Sequence, residues 1–305
     1  MKPHVVGVPA ELQAEVRPAR TEDHGQLSNL ILFESHAHKH LDWTPPLDWL
    51  GRGPFVVLQE GHSLAGVLAC PPDPPGMAWL RLFAFGRHLD GSAVWRLLWP
   101  PALRELRLKG GVTAAAIAIH RWLDPILLES GFRVVNHILI LELNATGVAP
   151  QPLPERLSVR PMRAGDLPRV AALDMAAFDP LWRNSFEALA RAFLQASFAS
   201  VAEDSSGILG YQLSTGGAFG THLARLAVHP AARRRGIGAS LVQHLLTQLP
   251  AGQERRLTVN TQSDNTASHA LYARLGFRRT GERFPVFALE IGSVRELPHD
   301  PGGPQ

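Results

Sequence analysis

The sequence predicts an α/β protein (in the α+β sense) with two mixed central sheets, each flanked by helices. Three observations carry this. Short apolar runs of strand length alternate with stretches whose apolar residues recur every three or four positions. At 305 residues the chain is long for one core and suits two. The chain also repeats itself: Val16-Arg17-Pro18 and Asp23 recur as Val159-Arg160-Pro161 and Asp166 at an offset of 143 residues. Gly131-Phe132-Arg133 recurs as Gly276-Phe277-Arg278 at an offset of 145. Landmarks at opposite ends of each half, at nearly one offset, argue for a duplicated domain. The expected division is residues 1–144, a linker over 145–155 rich in proline, a second domain over 156–292, and a disordered tail over 293–305.

Composition narrows the function. Hydrophobic residues make up 45% and charged residues 19%, as in soluble globular chains. The net charge is only +3 despite a pI near 9.5, without the basic excess of a nucleic-acid binder. Cys70 is the single cysteine, which leaves no disulfide framework and no thiolate zinc site. The opening residues lack the apolar core of a signal peptide, and no run reaches the ~18 apolar residues of a membrane span. A cytoplasmic protein with no nucleic-acid or membrane partner is expected.

The elements of the first half follow in order. A strand near Val16 leads to a helix capped by Asp23 that carries Leu27, Leu30 and Ile31. Phe55 to Gln59 and Leu64 to Cys70 read as a hairpin across Glu60-Gly61-His62. Trp79 to Phe85 reads as a fourth strand, Val94 to Leu108 as a helix, Ala114 to Ile119 as a fifth strand and Asp124 to Leu128 as the start of a last helix. Val134 to Leu143 closes the sheet. His36, His38 and His40 suggest a metal site, with His36 and His40 on one face of a helix. No cysteine or carboxylate cluster accompanies them, so no metal is expected. Trp43 and Trp49 flank Pro45-Pro46, which suits packing at an interface between domains or the wall of a cleft.

In the second half, Leu157 to Pro161 is a strand, followed by a helix from Asp166 to Phe178 and another from Ser185 to Gln195. Phe198 to Glu203 and Ile208 to Ser214 form a hairpin, and Phe287 to Ile291 is a final strand. Leu223 to Leu249 holds the first chemistry. Leu223 to Val228 is strand-like, His229 to Ala232 is a turn around Pro230, and Ile237, Leu241, Leu245 and Leu249 recur at helical spacing. The junction is Arg233-Arg234-Arg235-Gly236-Ile237-Gly238. Glycines allow close backbone approach, and the first helical turn leaves amides unpaired at the positive end of the dipole. With three guanidinium groups beside them, these features suit a diphosphate. A P-loop would need Lys-Ser or Lys-Thr where Ala239-Ser240 stands, and a dinucleotide fingerprint would need a small residue where Leu241 stands. A second segment, Asp264 to Phe277, follows a strand at Leu257 to Val259. Asp264 or Asn265 can cap its helix, and Gly276 can end it.

Arg233, Gly236 and Gly238 resemble the acetyl-CoA-binding motif of the GCN5-related N-acetyltransferases (GNAT), Q/R-x-x-G-x-G/A. Asn265, Ser268, Tyr272, Gly276 and Phe277 resemble the same family's N-x-x-A/S-x-x-x-Y-x-x-x-G-F signature. The resemblance implies a tandem GNAT fold and acetyl-CoA as cosubstrate. It implies that Leu226, Ala227 and Val228 meet the pantetheine arm, and that the amides of Arg234, Arg235, Gly236, Ile237, Gly238 and Ala239 hold the pyrophosphate. By the same resemblance Asn265 bonds the arm, and Tyr272 protonates the departing thiolate.

The expected reaction moves an acetyl group to a primary amine of a small molecule or peptide by direct attack. The base is His222 or a water. His222 stands where the arylalkylamine branch has histidine, and strand alternation groups it with Ala224, Leu226 and Val228. Asn260 occupies the place of the glutamate in the ribosomal-protein alanine acetyltransferases, which puts ribosomal-protein acetylation in doubt. Phe178, Asp179, Trp182 and Glu187 fall where the family shapes its acceptor side. The first half lacks the spaced glycines over Gly86 to Ser92, has Leu127 in place of the tyrosine, and offers no amide in His120-Arg121-Trp122. It is expected to be degenerate, structural or substrate-shaping. A mycothiol-synthase-like tandem enzyme and a non-catalytic acetyl-CoA sensor are the alternatives, and the chain is expected to be a monomer or homodimer.

Overall fold

The protein is described by a computed structural model covering residues 14–34, 36–144, 154–217, 220–249 and 256–292. Most of the expected linker, 145–153, and the whole expected tail, 293–305, lie outside the described residues.

Each half opens in the same way. Strand β1 (Ala14–Pro18) and helix α1 (His24–Phe33) are joined by a tight turn, as are β9 (Ser158–Pro161) and α4 (Leu167–Ala177). In the first half the Arg17 guanidinium clasps Asp23 at 2.7 and 2.8 Å. In the second, Arg160 clasps Asp166 at 2.7 and 3.0 Å. Each aspartate also accepts the amide of a second arginine, Arg20 or Arg163. The Val-Arg-Pro…Asp repeat is therefore one structural clamp used twice. It satisfies turn amides and fixes the angle between strand and helix.

The remaining elements of the first half are β2 (His36–Lys39), β3 (Phe55–Glu60), β4 (Ser63–Ala69), β5 (Met77–Trp79), β6 (Leu82–Phe85), α2 (Gly91–Lys109), β7 (Val112–Ile117), α3 (Leu123–Glu129) and β8 (Arg133–Asn144). Those of the second are α5 (Phe186–Gln195), β10 (Phe198–Asp204), β11 (Gly207–Gly217), β12 (Gly220–Val228), α6 (Ile237–Gln248), β13 (Arg256–Gln262), α7 (Thr266–Arg274) and β14 (Arg278–Ile291).

The fold is α/β with a mixed central sheet flanked by helices, as expected, but its strands are shared between the halves. Five strands form an antiparallel sheet ordered β1-β3-β4-β6-β2. Nine form a mixed sheet ordered β5-β7-β14-β8-β13-β12-β11-β10-β9. The last strand of each half crosses to the other. β8 pairs with β13, Leu143 opposite Leu257, while β14 pairs with β7, Phe287 opposite Ala116. The two exchanged strands pair with each other at the centre. Val134 to Leu143 thus closes the sheet of the second half rather than its own. The first half's core holds Phe287 and Ile291, and the second half's core holds Leu141 and Leu143.

Two expectations from local pattern give way to tertiary packing. Residues 36–39 form strand β2 against β6 instead of a helix, so His36 and His40 share no helix face. His36 stacks on Phe85 at 4.9 Å and His38 is fully buried. Among the described residues no group of three or more metal-ligating side chains converges. The expected fourth strand, Trp79 to Phe85, is broken at Leu80-Arg81, where Arg81 turns inward to pair with Asp42 and lie over the Trp49 ring.

Candidate active site

β12 and β13 run parallel but pair only over Thr221, His222 and Leu223. Beyond Leu223 the strands part, leaving Ala224–Val228 on one side and Asn260–Gln262 on the other. A bulge begins the parting: Leu213 faces Arg225 while Ser214 faces Leu223, so Ala224 is the extra residue. The gap passes through the sheet, and consecutive residues of both strands, Leu223 to Leu226 and Val259 to Gln262, line one cavity of about 300 Å³. Paired strands would show alternate side chains to each face.

α7 closes one side of this gap. Asn265 caps the helix, its Oδ1 accepting the Ser268 amide at 3.0 Å, and its Nδ2 donates to Gln262 Oε1 at 3.2 Å. Asn265, Ser268 and Tyr272 all line the cavity. Tyr272 is only 3% exposed and lies 5.2 Å from Phe277, ring to ring. Burial raises its pKa, which keeps the phenol protonated at neutral pH.

α6 begins where β12 ends. Arg234 has φ of +63° and Gly236 of +79°, a left-handed pair of bends that turns the chain sharply into the helix. Gly236 is the N-cap, and its carbonyl accepts the Ser240 amide at 3.0 Å. The amides of Ile237, Gly238 and Ala239 precede that first helical bond and have no carbonyl within the helix to reach. A Cβ on Gly238 would come 3.2 Å from Leu271 and 3.7 Å from Val228. This glycine therefore sets how closely α6 approaches α7 and the strand end. The three guanidinium groups do not converge as the sequence suggests. Arg233 donates to the Ala177 carbonyl at 2.9 Å, and Arg235 pairs with Asp204 at 3.0 Å. The amides of the first turn of α6 remain as donors without a carbonyl inside the helix.

His222 is placed differently from expectation. Leu223, Leu226 and Val228 pack toward α6, at the uneven spacing that the bulge creates. The adjacent His222 is therefore on the opposite face from Leu226 and Val228. Its Nδ1 lies 2.9 Å from Thr258 Oγ1, it does not line the cavity, and burial lowers its pKa. Of the cofactor residues on β12, Leu226 lines the cavity, while Ala227 is buried on the α4 side and Val228 packs toward α6.

At the other end of the cavity, Phe178 and Trp182 line it, while Asp179 does not. Glu187 pairs with Arg52 of the first half. A buried network that the sequence analysis missed holds this wall. Asp174 is fully buried and takes Arg225 through both carboxylate oxygens, at 2.8 Å each, together with the Tyr211 hydroxyl. Arg225 also donates to the Trp182 carbonyl at 2.7 Å and lies 3.6 Å over the Phe178 ring. An arginine inside the apolar run of β12 was the available signal, since a buried charge needs a partner. The first half contributes to the lining as well, through His40, Asp42, Trp43, Asp73, Trp79 and Arg81.

The corresponding region of the first half is filled. β6 pairs with β2, not with β7, and Phe83 and Phe85 contact Trp122 at 5.9 and 5.6 Å between ring centroids.

Residues 167–277 match the acetyltransferase (GNAT) family. Peptidyl-lysine N-acetyltransferase YjaB of Salmonella typhimurium is 34% identical over 101 residues, covering 33% of this chain and 63% of that protein. Mycothiol acetyltransferase of Sanguibacter keddieii is 41% identical over 97 residues, covering 32% of this chain and 30% of that protein. The chain thus spans less than two thirds of either curated relative. A tandem GNAT protein from the clavulanic acid biosynthesis pathway superposes with a TM-score of 0.61 at 17% identity, over 92% of this chain and 99% of that one. At that identity the likeness speaks for the fold alone, which this chain shares with that tandem protein.

Proposed function

We propose that the chain is an acetyl-CoA-dependent N-acetyltransferase whose active site lies in the second half. The parting of β12 and β13 carries the reading: it opens strand edges in the middle of a sheet, where an extended arm can add its own hydrogen bonds. The pyrophosphate would sit on the amides of Ile237, Gly238 and Ala239, with Arg234 beside it. The pantetheine arm would run between Ala224–Val228 and Asn260–Gln262, and its thioester would end near Tyr272. A backbone amide of β12 within Ala224 to Leu226, the part of the strand that lines the cavity, would receive the developing oxyanion.

In the reaction a neutral amine attacks the thioester carbonyl, and the C–S bond breaks with its electron pair on sulfur. Tyr272 gives its phenol proton to that thiolate. The half-buried ring of His222, engaged with Thr258 and outside the cavity lining, is a poor base for this step, so the proton acceptor belongs among the groups that line the cavity. The first half, its equivalent gap filled by Phe83, Phe85 and Trp122, binds no acetyl-CoA of its own in this reading and serves by walling the acceptor end of the cavity; the two halves are bounded roughly by residues 144 and 156. The test is release of free CoA thiol across a panel of primary amines. Amine-dependent release supports the reading; acetyl-CoA binding without release from any amine would instead favour a sensor.

The 41% identity to a mycothiol acetyltransferase favours a second reading, in which the amine belongs to a glycosidic thiol precursor. Preference for that precursor over simple amines in the same panel would select it.

A further inference from the structure

We propose that Asp73, supplied by the first half, is the acceptor-binding group of the active site: its carboxylate receives the ammonium of a small amine on an aromatic or apolar stem and takes its proton. The inference rests on the acetyltransferase reading and names the substrate class for the same cavity.

Among the described residues two carboxylates line the cavity, Asp42 and Asp73. Asp42 is neutralised by its ion pair with Arg81. The Asp73 carboxylate accepts a hydrogen bond from Ser185 Oγ at 3.1 Å, while Arg81 reaches only its backbone carbonyl, also at 3.1 Å. Asp73 is thus a half-buried carboxylate at the wall between this cavity and a smaller pocket beside Glu187, with no cation paired to it among the described residues. Such a group is costly in the empty site and is stabilised by a charged amine.

The walls beside it are flat and apolar. His40 stacks on Trp79 at 4.7 Å, and Trp79 meets Trp182 of the second half at 5.8 Å. The His40 Nδ1 is buried and has no hydrogen-bond partner among the described residues. Its pKa is driven well below the usual histidine range by burial, with Arg81 and His38 adding to the effect, so the ring stays neutral and adds no competing charge. An aromatic wall around one carboxylate favours a cation through both its charge and the ring faces. A cavity of about 300 Å³, part of it taken by the thioester end, leaves room for a small molecule.

The proton balance closes. The bound ammonium gives one proton to Asp73, and the freed amine forms the N–C bond to the acetyl carbon. The C–S bond breaks, the thiolate takes the Tyr272 proton, and the surplus proton on the new amide nitrogen restores the phenol. Asp73 then returns its proton to solvent.

Burial raises the Asp73 pKa, and Asp42 and Glu187 push the same way, while Ser185 and Arg81 oppose. A raised carboxylate is a better proton acceptor than an ordinary one. It must be ionised to bind the ammonium, so amine affinity should rise as pH rises through its pKa.

The test is calorimetric titration of 2-phenylethylamine, its neutral analogue 2-phenylethanol, and acetyl-CoA into the full chain and into Asp73→Asn. The expected result is a loss of about tenfold or more in amine affinity, from the loss of a charge-assisted contact. The acidic limb of amine binding should disappear in the variant, with 2-phenylethanol and acetyl-CoA affinities unchanged. Unchanged acetyl-CoA affinity also shows that the variant is folded. Equal amine affinity in both proteins, or no binding of the amine at all, would overturn the proposal. Amine binding that depends on Asp73 without any acetyl-CoA binding would leave the subsite standing and remove the acetyltransferase reading.

Discussion

Tyr272 sits where a phenol can act only on what enters the cavity. It is buried against Phe277 on one side and open to the gap between β12 and β13 on the other. Replacing it with phenylalanine removes one oxygen and almost no packing. Tyr272→Phe should lower kcat by about 100-fold or more while leaving the acetyl-CoA dissociation constant within about twofold. Steady-state kinetics paired with calorimetry checks this, and unchanged kcat would remove the acid role. Asn265 illustrates a residue with two duties, since its Oδ1 is already spent on the helix cap. Its Nδ2, now turned to Gln262, is the group left to donate to a carbonyl of the pantetheine arm.

At the scale of elements, the duplicated arginine–aspartate clamps give a stability prediction. Arg160 and Asp166 are largely shielded, with side-chain exposures of 25% and 13%. Arg160 also bonds Glu203 at 2.7 Å, which ties the clamp to β10. Arg160→Ala should cost about 2 kcal/mol in denaturant unfolding, since it leaves a partly buried carboxylate and its turn unsupported. Hydrogen bonding by the arginine lowers the pKa of Asp166, as it does that of Asp23. A depressed folded-state pKa adds stability that is fully present above the unfolded value of about 3.9 and is lost as pH falls through the folded value. The variant should therefore show a shallower loss of stability as pH falls below about 4; an identical acid limb would contradict the assignment.

Much of this level is legible in the sequence. Turn residues and periodicity locate α4, α5, α6 and α7 to within a few residues, because Ser185 and Asn265 cap α5 and α7 and the apolar residues of α4 and α6 recur at helical spacing. The bulge at Ala224 is not legible, since nothing in Leu-Ala-Arg-Leu-Ala-Val marks an extra residue. That one residue reverses the face assigned to His222. Nor is β2: a short segment of alternating histidines takes its conformation from the edge of β6. Asp73 lies in a proline-rich turn with no pattern around it, and only the approach of the two halves gives it a role.

For the whole molecule, the exchange of β8 and β14 decides how the halves depend on each other. Each core is completed by a strand from the other half, and the two exchanged strands pair along the centre of the nine-stranded sheet. Neither half can unfold without exposing a strand edge and apolar surface of its partner. Scanning calorimetry should therefore show one cooperative transition, and residues 154–292 alone should fail to fold stably for want of β8. Two separate transitions would mean that the exchange contributes little. The sequence repeat announces the duplication, but the crossing leaves no trace in it. The final strands of both halves have similar apolar patterns, and either could satisfy either neighbour.

The measurement that tests the account most directly is calorimetric titration of acetyl-CoA into the full chain and into Gly238→Asp. The account predicts one site per chain. That site should be lost in the variant, where a carboxylate at the first turn of α6 opposes the pyrophosphate and the new side chain meets Leu271. Two sites per chain, no site, or wild-type affinity in Gly238→Asp would contradict it.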